Sequence, residues 1–139
     1  MTDHIFIEAR SNAAIPSILL SRALKADAVA SAASGLLMFA GAGMLDGIAG
    51  LPTALLRYAG LFLLPYAALV GWMGFRASLP RWLVWTVILG NTAWAAESAL
   101  LAFSGWVQPT GPGIAFILAQ ALVVAMFAGL QFLGLQRSR

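Results

Sequence analysis

The chain contains no cysteine, so disulfides, thiolate metal centres and cysteine nucleophiles are excluded. Its single histidine, His4, lies in the N-terminal tail. No histidine-ligated haem or copper site can therefore form in the body of the chain. Neither a Ser-His-Asp arrangement nor an HExxH helix exists, and no Gly-rich phosphate-cradling loop precedes a soluble helix. The five acidic residues, Asp3, Glu8, Asp27, Asp46 and Glu97, are spread along the chain, which argues against a carboxylate metal cluster. No metal, no cofactor and no conventional enzyme chemistry is expected. Charge is scarce altogether, with 9% Asp, Glu, Lys and Arg, where soluble domains carry roughly a quarter.

Apolar residues fill the space instead. Of 139 residues 61% are hydrophobic, and the mean hydropathy is +0.89. These values describe an integral membrane protein with little else attached, so the lipid bilayer is its first expected partner. The isoelectric point near 10.2 does not imply a nucleic-acid partner. The net charge is only +3, and the basic residues gather at helix ends, as in membrane orientation signals.

The hydropathy pattern predicts an all-α, up-down-up-down four-helix membrane bundle. An N-terminal cytoplasmic or interfacial segment, residues 1–21, precedes a single transmembrane domain, residues 22–139, with spans over about 23–45, 53–75, 82–105 and 114–135. Each is close to the ~20 residues needed to cross a ~30 Å apolar layer. The tail, with Asp3, Glu8, Arg10, Asn12 and Pro16 among its apolar residues, is too broken to span. Cleavage of the first span as a signal sequence is the minority alternative. Asp46–Pro52 reads as a short turn, and Pro65 should kink the second span. Ala, Gly and Ser enrich the first span, which should pack closely against a neighbour.

Seven of the eight basic residues (Arg10, Arg22, Lys25, Arg76, Arg81, Arg137 and Arg139) fall on the tails or between the second and third spans. That asymmetry places both termini in the cytoplasm. Trp72, Trp82 and Trp106 stand near span ends, where tryptophan anchors to the interface. The first and third spans also match at an offset of 64: Ser34–Gly41 (SGLLMFAG) aligns with Ser98–Gly105 (SALLAFSG), and Asp27 falls on Asn91. A 2+2 repeat of parallel hairpins would explain the match; shared Leu/Ala/Gly composition is the alternative.

The polar residues inside the spans are the candidate site. Arg57 lies about 6 Å below the outer end of its span, Glu97 about 12 Å and Gln120 about 10 Å, while Asn91 is near the midplane. An Arg57–Glu97 pair assisted by Gln120 would satisfy each group without water. Such a set forms either a polar pocket for a ligand or ion, or a buried pair that fixes helix register. Asn91, Trp94 and Ser98 share one face, and the Trp94 indole needs an acceptor, with Glu97 three residues on. Asp27, near Arg22 and Lys25, is expected in the inner headgroup region, paired or solvated, with a proton relay as its alternative role.

The third and fourth spans carry GN-x-x-W-x-x-x-S-x-LL-x-x-SG (Gly90–Gly105), PT (Pro109, Thr110), AF-x-LAQA (Ala115–Ala121) and FAGLQFLGL (Phe127–Leu135). In these motifs the chain resembles small bacterial four-span proteins of uncharacterised function, loosely over residues 22–137. The resemblance implies a four-helix bundle in a bacterial inner membrane, and no activity. The leading expectation is a non-enzymatic protein that binds a small amphipathic or lipid-like ligand, or an ion, in an outer-leaflet pocket lined by Arg57, Asn91, Trp94, Glu97 and Gln120. It would serve as a transporter or accessory subunit, with a homo-oligomer or a membrane-complex partner. The alternatives are an assembly subunit without ligand chemistry and, third, a membrane-embedded lipid enzyme.

Overall fold

The computed structural model describes residues 13–139; the reading of the N-terminal tail falls largely outside them. A two-residue strand β1 (Ala13–Ala14) leads into α1 (Ile18–Ala40), followed by a short helix α2 (Ala42–Ala49) and by α3 (Thr53–Gly74). Strand β2 (Leu79–Pro80) then precedes α4 (Arg81–Phe103) and α5 (Gly111–Gln136). The fold is all-helical apart from the single antiparallel pairing of β1 with β2 (Ala13 opposite Pro80, Ala14 opposite Leu79).

Helix boundaries follow local chemistry. Ser17 caps α1, its Oγ accepting from Leu20 N at 3.1 Å, which satisfies one of the unpaired N–H groups of the first turn. The same hydroxyl donates to the Gly134 carbonyl at 2.7 Å, tying the start of α1 to the end of α5. Thr110 caps α5 in the same way through Gly113 N at 3.1 Å and donates to Ile48 O at 2.6 Å, fixing the start of α5 on α2. Helix α2 ends at Gly50, whose φ of +69° is the left-handed conformation that glycine adopts freely. A Cβ there would also stand 2.9 Å from Gln108 O.

Two boundaries differ from expectation. Helix α1 starts at Ile18 rather than near residue 23, and it stops at Ala40. The stretch read as a turn from Asp46 is instead half helix: α2 runs through Ala49, and the Asp46 side chain accepts from Thr53 Oγ1 at 2.8 Å, joining α2 to α3. Pro65 lies inside the otherwise continuous α3.

Both described chain ends gather on one side, where Ile15 and Arg139 exchange two backbone hydrogen bonds beside the β1–β2 pair. The starts of α1 and α4 and the ends of α3 and α5 meet there; α2 and the 104–110 loop occupy the opposite end. Helix α1 packs most extensively on α3, α4 on α5, and the two pairs join through α1 and α5. Close approach explains the first contact. A Cβ on Gly60 would stand 2.7 Å from Gly35 O and 2.7 Å from Phe39 N, so the α1 and α3 backbones nearly touch, as small residues permit.

The core is divided between the two ends. Leu20, Leu24, Val70, Met73, Leu79, Val84 and Leu135 fill the end that holds the termini. Ala42, Ala49, Leu51, Leu56, Ala102 and Ile117 fill the other. Large apolar side chains are exposed along every helix, among them Val29, Phe62, Leu89 and Leu122. In water such a surface would aggregate; in hydrocarbon it carries no penalty. Helices α1, α3 and α5 are each long and apolar enough to cross a membrane. Helix α4 matches α1 in length at 23 residues and carries Arg81, Asn91, Glu97 and three tryptophans. It is not among the three.

Candidate functional site

Four helices bring polar side chains to a single point: a tetrad of Asp27, Tyr66, Asn91 and Gln131, one from each helix, with Ser31 of α1 beside it. Asp27 of α1 is 1% exposed, and its carboxylate accepts from Ser31 Oγ at 3.0 Å, Tyr66 Oη of α3 at 2.9 Å, Asn91 Nδ2 of α4 at 2.8 Å and Gln131 Nε2 of α5 at 2.7 Å. Asn91 Nδ2 also donates to Gln131 Oε1 at 3.0 Å, and Tyr66 Oη lies 2.8 Å from Asn91 Oδ1. No cation is among these partners. Four hydrogen bonds to a carboxylate offset much of its desolvation, and no buried side-chain polar atom among the described residues lacks a partner.

This corrects the expectation for Asp27. Because α1 starts at Ile18, Asp27 stands nine residues in, about 13 Å along the axis, buried rather than solvated. Its expected partners lie elsewhere: Arg22 is exposed, and Lys25 Nζ sits 4.4 Å from the centroid of the Phe75 ring, a cation–π contact. Arg76 stacks likewise on Trp72 at 5.0 Å.

A gap runs beside the tetrad between α3 and α4, which make little backbone contact. One aromatic pair bridges it: Phe62 and Trp94 stack with ring centroids 6.0 Å apart and planes 7° from parallel. The gap holds two adjoining cavities. The inner, of about 560 Å³, has Asp27, Tyr66 and Asn91 in its wall together with Phe62, Trp94 and Glu97. The outer, of about 1360 Å³, reaches toward Trp106 at the α2 end. Both are walled by Trp94, Glu97, Phe116 and Gln120.

The predicted site residues thus separate into groups. Trp94 and Gln120 meet directly, Nε1 donating to Gln120 Oε1 at 3.0 Å, so Gln120 and not Glu97 is the indole acceptor. Glu97 faces the groove and accepts no hydrogen bond among the described residues. Arg57 is exposed and lines neither cavity. The expected Arg57–Glu97 pair does not form, because Arg57 stands on a different side of α3 from the groove-lining Leu55, Tyr58, Ala59 and Phe62. Near a helix end, its long side chain can extend toward an aqueous interface instead.

Sequence reasoning did not single out Tyr66, Gln131 or Ser31 for the site. Their signal was available: Ser31 is one turn from Asp27, and Tyr66 and Gln131 interrupt the apolar runs that follow Arg57 in α3 and Gln120 in α5. They stand eight and five residues from the ends of α3 and α5, the ends that meet the start of α1. Counting depth from that side groups them with Asp27.

No protein-family model, no curated protein and no solved structure matches this chain.

Proposed function

We propose that this is a multi-pass membrane protein whose groove between α3 and α4 binds a small amphipathic or lipid-like molecule. The observation that carries the reading is the cavity itself. A space of about 560 Å³ falls within the ~300–1,000 Å³ typical of small-molecule sites. Its wall is apolar and aromatic, with a few polar groups converging at one end. A subunit serving only helix packing would have a filled interior, whereas here α3 and α4 stand apart.

On this reading α4 crosses the bilayer with α1, α3 and α5, and its polar residues are accommodated because they face the tetrad and the groove. The chain is then a four-helix bundle of two parallel hairpins, α1–α3 and α4–α5. The contact of Asp27 with Asn91, at the 64-residue interval, and the pairing of β1 with β2, each just ahead of the first long helix of its half, support a repeat about an axis along the membrane normal. The charge asymmetry supports cytoplasmic termini in a bacterial inner membrane, and no catalytic constellation is assigned. The two cavities lie end to end along the groove, which fits a transporter or an accessory subunit that presents a ligand to a partner; a transport path would require an oligomer or a complex.

Native mass spectrometry of protein gently extracted from its own membrane tests the reading. A small molecule retained by the wild type and lost from Glu97→Gln is the expected result. Ligand-free masses for both, together with no binding of any added amphiphile, would leave only an assembly role.

A further inference from the structure

We infer that the molecule taken into the groove is a lipophilic organic cation, with Glu97 as its counter-charge and the Phe62 and Trp94 rings as its walls. The inference rests on the ligand-binding reading above and names the charge of the ligand.

The chain as a whole is basic, with eight Lys and Arg against five Asp and Glu, yet the groove is acidic. Among the described residues, the charged side chains lining the two cavities are Asp27 and Glu97, with no lysine, arginine or histidine. The two carboxylates are not equivalent. Asp27 is buried and accepts hydrogen bonds from Ser31, Tyr66, Asn91 and Gln131, so its oxygens are occupied by the protein. Glu97 borders both cavities, accepts no hydrogen bond among the described residues, and stands six residues before the end of α4. Glu97 is exposed; on the bilayer-spanning reading above, a bare carboxylate at that place is costly, and a partner of opposite charge removes that cost.

The rest of the wall selects the kind of cation. A hard metal ion needs several oxygen ligands around it, and Glu97 offers one carboxylate among aromatic and aliphatic groups. Aromatic faces suit a diffuse, weakly hydrated organic cation, which gains from the negative face of the ring. Phe62 and Trp94 line the inner cavity together with Glu97; their inner faces are stacked on each other, which leaves the outer faces for a cation, and the Trp94 indole is held in place by Gln120. An anionic amphiphile would meet like charge at the same point, and a neutral one would leave Glu97 uncompensated.

Tetraphenylphosphonium and tetraphenylborate, matched in shape and opposite in charge, provide the test. Equilibrium binding of each to the full-length protein in uncharged detergent, corrected for protein-free micelles, should show saturable binding of the cation at least about tenfold tighter than that of the anion, roughly the effect of one desolvated charge contact. Glu97→Gln should abolish the preference, Glu97→Asp should retain most of it, and Arg57→Gln, outside the groove, should leave it unchanged. Similar binding of both probes, insensitive to Glu97, would overturn the cationic assignment and keep an amphipathic groove. A preference for the anion would also overturn it. Binding of neither probe would remove the cationic ligand, and with an empty native mass spectrum the groove reading as well.

Discussion

Asn91 Nδ2 donates to Asp27 Oδ2 at 2.8 Å across 64 positions of sequence, the same interval that superposes Ser34–Gly41 on Ser98–Gly105. On the proposed repeat these are corresponding residues of the two halves, in contact as an axis between two related hairpins would place them. The contact puts Asp27, the buried acid among the described residues, where all four long helices reach it. The Tyr66 hydroxyl has one proton and two acceptors within reach, Asp27 Oδ2 at 2.9 Å and Asn91 Oδ1 at 2.8 Å. If Asp27 is ionised, the hydroxyl serves Asp27. If Asp27 carries a proton, it can donate to Tyr66 Oη, which turns to Asn91.

Replacing Asp27 should separate charge from hydrogen bonding. Asp27→Leu strands one amide hydrogen each of Asn91 and Gln131, while Tyr66 keeps Asn91 Oδ1 as its acceptor, and should cost about 2–4 kcal/mol, given ~1–3 kcal/mol for an orphaned buried polar group in soluble proteins and somewhat less in membranes. Asp27→Asn should cost under about 1 kcal/mol, because its carbonyl can occupy the Oδ2 position while its amide donates to Ser31. Thermal unfolding in detergent reads both. Equal losses for the two variants would show that the charge itself holds the tetrad.

Tyr66→Phe removes one hydroxyl and leaves Asn91 and Gln131 bonded to Asp27. A loss of about 0.5–1.5 kcal/mol is expected, additive with a distant change such as Gly134→Ala and non-additive with Asn91→Leu. A double-mutant cycle on unfolding free energies checks this, and zero coupling between positions 66 and 91 would contradict the shared network.

Glycine substitutions should divide by position. Gly60→Ala, against the Gly35 and Phe39 backbone, and Gly134→Ala, whose Cβ would stand 2.7 Å from Leu20 Cα, must force neighbouring helices apart and should cost about 1–3 kcal/mol each. Gly90→Ala and Gly129→Ala meet nothing within 4 Å and should be neutral or gain up to about 1 kcal/mol from helix propensity. The comparison again uses thermal unfolding.

The native absence of cysteine makes topology directly measurable. Single cysteines at Ala77, between α3 and α4, and at Gln108, between α4 and α5, should label with an impermeant maleimide from opposite faces of the membrane, with position 77 cytoplasmic. Labelling of both from one face would mean that α4 does not cross, and the four-span arrangement would fall.

The sequence by itself determined the class of molecule: an apolar chain with its charges at segment ends folds as helices, three of them long and apolar enough to cross a membrane, while the short α2 and the early start of α1 did not follow from the spacing of its breaks. It also marked Asn91, Trp94 and Gln120 as polar residues that need partners. The partners themselves were decided by tertiary structure. Arg57 and Glu97 are opposite in charge and similar in depth, but depth along an axis says nothing about which way a helix is turned, and rotation sends Arg57 away from the groove. Asp27 looked like an edge residue because flanking charges suggest an interface. Only the early start of α1 and the convergence of Tyr66, Asn91 and Gln131 supply the donors that, with Ser31, let a carboxylate remain buried, and those donors come from segments up to 104 residues away.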